Sequence, residues 1–225
     1  DSASDANGIG LFYDTPPAGH LALCTSNMTD STLSPSKADK ATDHYQTVLY
    51  EGTGATQNVT GVGFKPDWVW VKRRDGTQES SVMDSVRGFN SQLRPAVTNV
   101  QSTKTDCITS FDSDGFTLGA DAQGNNSYNY YTDSHVAWCW KAGGAPTATN
   151  SEAAGAAPTS GSVIIDGVAS TSTLAGSIAA TKISANTKAG FSIGTFTKGS
   201  GAETVAHGLN AALDWYVVKR ITGSG

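Results

Sequence analysis

Charge is scarce in this chain: Asp, Glu, Lys and Arg make up only 16% of 225 residues, with a net charge of −5. A nucleic-acid binder carries a basic face, so no nucleic-acid partner is expected. No run of about 18 apolar residues occurs, so no membrane insertion is expected. Long stretches of helical periodicity are missing too, which argues against a helix-built fold. The three cysteines, Cys24, Cys107 and Cys139, are odd in number and irregular in spacing. They describe neither a disulfide framework nor a zinc site. Cys107 and Cys139 lie in strand-like runs, where a free thiol acts as a small hydrophobe, and assembly in a reducing cytoplasm fits. His20, His44, His135 and His207 show no metal-ligand spacing, and no G-x-S-x-G elbow is present. The expectation is therefore a protein that is not an enzyme and needs no cofactor. The chain opens on Asp1 without a leader pattern. Both ends are expected to be cuts in a longer polypeptide.

What is present is glycine, at 25 residues, with short strand-like runs divided by Gly, Asn, Asp and Ser. This pattern predicts an all-β chain built of tandem β-sandwich modules. The stretch from Gly61 to Asp75 organises it. Gly61, Gly63 and Pro66 mark a turn, and Trp68-Val-Trp-Val71 has the aromatic and β-branched content of a strand. Side chains alternate along a strand, so Trp68, Trp70 and Lys72 share one face and Val69, Val71 and Arg73 the other. Lys72, Arg73 and Arg74 then read as a solvated strand end, balanced by Asp67 and Asp75.

The stretch recurs. Asp214-Trp-Tyr-Val-Val-Lys-Arg220 matches Asp67-Trp-Val-Trp-Val-Lys-Arg73 at an offset of 147 residues, and Gly199, Gly201 and Gly208 fall under Gly52, Gly54 and Gly61. An internal repeat sets the domain count. Residues 1–28 read as the end of a preceding β domain, with short strands at Ile9–Tyr13 and His20–Thr25. Residues 29–42 read as a connector, 43–144 as the first repeat, 145–188 as a Gly/Ala/Thr/Ser-rich linker with a short strand, and 189–225 as the start of a second repeat. Within the first repeat the strongest hairpin is Cys107–Phe111 with Phe116–Leu118. Residues 89–100 read as a loop. All five tryptophans lie at 68, 70, 138, 140 and 215, so the strands at 68–71 and 136–140 are expected to meet in one core.

Asp112 and Asp114, beside Gly115, are a weak calcium candidate. The ligands that an EF-hand needs out to its twelfth position are missing, and a plain hairpin turn is the simpler reading. Asp84 and Arg87 are expected to pair and anchor a loop. The loop 120–133 is the best binding candidate, through Asn125, Asn126, Tyr128, Asn129, Tyr130 and Tyr131, because binding loops favour rigid aromatic area with adaptable amides. The alternative is that the loop packs on a neighbouring subunit.

Gly63-Phe-Lys-Pro-Asp-Trp-Val-Trp-Val-Lys72, Asp84-Ser-Val-Arg-Gly88, Phe111-Asp-Ser-Asp-Gly-Phe-Thr-Leu-Gly119 and Val136-Ala-Trp-Cys-Trp-Lys-Ala-Gly-Gly144 together resemble a domain of uncharacterised function. That domain recurs in tail-fibre-like and virion proteins of marine tailed bacteriophages. Phe12–Cys24 looks like the tail end of a SPRY-like β-sandwich. The resemblance implies a structural virion fibre protein, assembled in the host cytoplasm and exposed on the particle surface. Its expected partners are other copies of itself, as a trimer, other virion proteins and a host-surface glycan. A purely structural capsid or tail decoration without receptor binding is the alternative, and a glycan-degrading enzyme the more distant one. The resemblance carries over no catalytic or ligand-binding residue.

Overall fold

The computed structural model describes residues 3–22, 39–121 and 128–223. Two compact units divide the chain, Asp1–Asp39 and Lys40–Gly225.

In the first unit the expected strands at 9–13 and 20–25 do not form among the described residues; a single bridge pairs Ala3 with Phe12. The Asp5 carboxylate organises this segment, accepting the amides of Asn7, Ile9 and Ala22. No strand lies beside 9–13 there, and Leu11 and Tyr13 stay exposed.

The second unit is all-β. A six-stranded sheet runs in the order β1 (Tyr45–Glu51), β9 (Ser134–Trp140), β3 (Trp68–Arg73), β4 (Ser81–Asp84), β5 (Gly88–Leu93), β6 (Ser102–Thr103). Against one face packs a three-stranded sheet of β2 (Gln57–Val59), β8 (Gly115–Leu118) and β7 (Ile108–Asp112). The core between them holds Val48, Val69, Val71, Met83, Ala137 and Cys139 from the first sheet and Val59, Ile108, Phe116 and Leu118 from the second. All pairings here are antiparallel.

The tryptophan strands meet as expected: β3 pairs with β9, Trp70 opposite Trp138, with ring centroids 6.0 Å apart at 72°. The valines enter the main core, and the indoles take the other face. There Phe191 packs edge-on against Trp68 at 6.1 Å and stacks on Trp140 at 5.8 Å.

Phe191 belongs to a third sheet, in the order β11 (Val168–Ala169), β10 (Val163–Ile165), β12 (Ala180–Asn186), β13 (Phe191–Phe196). Strand β10 runs parallel to β12, and the other two pairings are antiparallel. The stretch 145–188, read from composition as a linker, thus supplies three strands. Its small residues allow this: Val163, Ala180, Ile183 and Ala185 form a compact core with Leu174, Val205 and Leu209 at its edge. The loop reading of 89–100 also needs correcting, because β5 covers its first part. The buried polar residues of β5 are satisfied by its neighbours. Gln92 donates to Ser81 Oγ at 2.8 Å and accepts from Ser102 Oγ at 3.0 Å.

The sandwich and the four-stranded sheet meet at a tight joint. The Asp67 carboxylate accepts the amides of Ala142 and Gly144 at 2.8 and 3.2 Å. Gly143 donates to Ser184 Oγ at 2.9 Å, and Gly167 donates to Gly143 O. Asn186 donates to His44 Nδ1 at 2.8 Å and to Lys141 O at 3.2 Å. Val86, Ala142 and Ile193 form a small apolar cluster beside Trp68 and Phe191. A Cβ on Gly143 would lie 2.4 Å from Ile164 O and 2.5 Å from Ala185 O, so only glycine lets these backbones approach.

Candidate binding surface

The loop before β9 is built around Asn129, which is wholly buried. Its amide nitrogen donates to Ala55 O and Gly119 O, both at 2.6 Å, and its oxygen accepts from Thr53 N at 2.9 Å and Gln57 Nε2 at 2.5 Å. One side chain therefore ties together the 52–57 turn, the start of β2 and the end of β8. Buried amides persist only when paired, and this one is paired on both ends. Tyr128 is buried as well: its hydroxyl donates to Met83 Sδ at 3.3 Å, and its carbonyl accepts the Tyr50 hydroxyl at 2.7 Å. Burial pushes the Tyr128 phenol well above its ordinary range.

Tyr130 and Tyr131 lie outside that anchor, 50% and 68% exposed. The backbone beneath them is pinned to the turn at Gly52: Gly52 donates to Asp133 O, Thr132 donates to Gly52 O, and Gly54 donates to Asn129 O. A Cβ on Gly52 would lie 2.0 Å from Tyr130 O, so this turn and this loop fit only with glycine there. Thr132 takes a left-handed backbone, φ 65°. Next to the loop, Arg73 bridges Asp133 and Asp75, each at 2.7 Å. The Ser134 amide and Arg73 hold the Asp75 carboxyl down at about 2.

Of the six residues singled out in sequence, Tyr128 and Asn129 are thus interior anchors, and Tyr130 and Tyr131 form the surface. Asn125 and Asn126 lie outside the described residues. Gly52 and Gly119 were the available signs that backbones close on one another here, since a Cβ on either would meet main-chain atoms of Tyr130 or Asp106.

The other candidates have structural occupations. Asp114 accepts Gly63 N at 2.6 Å and Gly61 N at 3.1 Å, which lowers its pKa. Asp112 accepts from Ser110 Oγ and Thr117 Oγ. Both carboxylates of the calcium candidate are therefore engaged by protein donors. Asp84 and Arg87 do pair, at 2.6 Å, and Arg87 also donates to Ser91 O and Gln101 Oε1. Burial raises the Asp84 pKa despite the guanidinium. His135 stacks on Tyr50 at 5.0 Å with its Nδ1 3.0 Å from Asp133 O, and burial lowers its pKa. His44 serves the joint, and His207 Nδ1 accepts Leu209 N at 3.3 Å. His20 closes a turn through its amide on Pro17 O.

One grouping was not legible in the sequence. Ligand atoms of Asp106, Cys107 and Asp121 lie within 4.8 Å of one another. Burial and the two carboxylates push the Cys107 thiol well up, so it keeps its proton and donates to Asp121 Oδ1 at 3.5 Å. Cys139 is buried too, its thiol pushed up to about 12 by desolvation. Cys24 lies outside the described residues.

Comparison with known proteins gives one family. Its sequence profile, described as a domain of unknown function (DUF7483), matches residues 40–166 and again 164–225. No curated protein and no solved structure matches the chain. The two matches overlap at β10 and divide the second unit between them. The second takes in β13, which the 147-residue offset sets beside β1; both are edge strands paired to one antiparallel neighbour. The chain is therefore a member of the DUF7483 family, matched by its profile twice in succession.

Proposed function

We propose that this chain is a structural segment of a bacteriophage virion fibre, with Tyr130 and Tyr131 as an adhesive contact for a host-surface glycan. The observation that carries the reading is an exposed tyrosine pair on a backbone fixed by Asn129, borne on β modules locked together at Gly143. Pre-organised aromatic faces bind at low entropic cost. Adjacent Arg73, Asp75 and Thr132 offer the polar partners that sugar hydroxyls take. The phage context comes from the motif resemblance, as does self-association into a trimer. The joint equally serves a purely structural virion component, and the binding assay separates the two.

The test is binding of the full chain to a glycan array and to host cells, beside a Tyr130→Ala/Tyr131→Ala variant. Both side chains are exposed, so the variant is expected to melt within ~0.5 kcal/mol of the parent and to lose binding. Binding that persists in the variant refutes the tyrosine contact. Absence of any glycan or cell binding by the parent leaves the purely structural role.

A further inference from the structure

His135 opens the inward row of β9, followed by Ala137 and Cys139, and all three are buried. Its ring lies flat on Tyr50, with centroids 5.0 Å apart and planes 9° apart. Nδ1 is 3.0 Å from Asp133 O, and a carbonyl only accepts, so in the neutral ring Nδ1 carries the proton. Nε2 is then a lone pair, buried and with no hydrogen-bond partner among the described residues. A proton taken up there places an N–H in the interior with nothing to receive it. The charged and titratable groups that face the ring are Tyr50 from β1, Arg73 from β3, Asp75 from the turn after β3, and Asp133 from the loop. The two carboxylates favour a cation, but Arg73 is bonded to both and opposes it. Burial outweighs the carboxylates and holds the imidazole below its ordinary pKa.

The segment beside the ring, 130–134, also carries the exposed tyrosines. It is held by Gly52 N on Asp133 O, Thr132 N on Gly52 O and Ser134 N on Asp75 Oδ2. Thr132 is left-handed at φ 65°, which a β-branched residue adopts only at a cost. Just before it the chain is firm: Tyr128 O accepts the Tyr50 hydroxyl, and Asn129 is bonded at both ends of its amide. An opening of 130–134 therefore has a fixed hinge at Asn129, and it takes Asp133 O away from the ring.

We propose that His135 is a proton-operated latch on the tyrosine contact. Neutral, it closes 130–134 against Gly52; charged, it drives that segment open about Asn129 and unseats Tyr130 and Tyr131. What the latch regulates rests on the adhesive role proposed above, but the latch itself acts without a ligand. The open form binds the proton more tightly, so opening grows as pH falls through about 6.5, the value of an exposed imidazole.

The experiment is hydrogen exchange of the full chain at pH 7 and pH 5, corrected for intrinsic rates. It compares the amides of Gly52, Thr132 and Asp133 with those of Ala142 and Gly143 at the joint. Loop protection is expected to fall roughly five-fold or more, up to the limit of about 25-fold that a free pKa of about 6.5 sets between those pH values, while the joint amides change little. His135→Phe keeps a ring on Tyr50 and takes up no proton, and Asp133 O retains Gly52 N, so its loop is expected to show no such fall. An equal loss at loop and joint, or an equal fall in His135→Phe, overturns the proposal. So does a native His135 that titrates at or above 6.5 by NMR, a measurement that needs no variant. Host-cell binding at the two pH values reads the regulation: the parent is expected to lose binding at pH 5 and His135→Phe to keep it. Undiminished binding by the parent at pH 5 with its loop open overturns the regulatory role. Absence of binding at both pH values refutes the adhesive role alone, and the exchange data still decide the latch.

Discussion

Replacing Gly143 by alanine tests whether the sandwich and the four-stranded sheet are locked together. The added Cβ would meet Ile164 O at 2.4 Å, Ala185 O at 2.5 Å and Ala185 N at 2.9 Å, all of them backbone. No side-chain rotation relieves this, so the 142–144 segment must back out. Overpacking of this kind costs about 1–3 kcal/mol. Backing out also strains the bonds from Gly143 N to Ser184 Oγ and from Gly167 N to Gly143 O, each worth about 1 kcal/mol. The expected loss is therefore about 3–5 kcal/mol at the joint, the sum of those contributions. Gly194→Ala is the control: its Cβ would find nothing nearer than 3.6 Å, at Lys182 O, and its change is expected within ~0.5 kcal/mol. Chemical denaturation followed by tryptophan fluorescence gives the energies. Small-angle scattering reads whether the regions separate, and limited proteolysis reads exposure of 145–162. If Gly143→Ala matches Gly194→Ala in all three, the joint is not held by this close approach.

Three further outcomes are expected. Arg87→Ala leaves the buried Asp84 carboxylate without its guanidinium and is expected to cost about 3–5 kcal/mol in denaturant titration, whereas an Asp84→Leu/Arg87→Met pair is expected to cost far less. Burial lowers the His135 pKa, so just below the free value of about 6.5 the unfolded chain holds the extra proton. Stability should therefore fall as pH drops through that value and down to the folded pKa; comparing the pH slope of Tm with that of His135→Asn checks the assignment. Cys107 and Cys139, both protonated and buried, should stay unlabelled by a thiol reagent at pH 8 in the native protein and react once it is unfolded, as peptide mass spectrometry reads out.

The strands that sequence revealed are those whose pattern says both strand and interior. Trp68-Val-Trp-Val71 and Val136-Ala-Trp-Cys-Trp140 alternate large and small over a β-rich run, and each became a central strand. Strand β5 was hidden because Asn90, Ser91 and Gln92 look like a loop; Ser91 and Gln92 are nonetheless buried, Gln92 with crossing bonds to Ser81 and Ser102. Strand β12 was hidden for another reason. Ala180-Thr-Lys-Ile-Ser-Ala-Asn186 is small and polar, yet smallness is what a backbone-to-backbone contact at Gly143 demands. At the surface site the error was of role. Asparagine suits both an adaptable contact and a fixed pin, and Asn129 is the pin because four groups from two distant segments, 53–57 and 119, converge on it. Local spacing does not carry that convergence.

The parallel pairing of β10 with β12 lets the chain leave the first sandwich, enter the next sheet and return across it without a free hinge. The few atoms around Asp67, Gly143 and Ser184 thus fix the angle at which the four-stranded sheet leaves the sandwich, and a substitution there would turn one against the other.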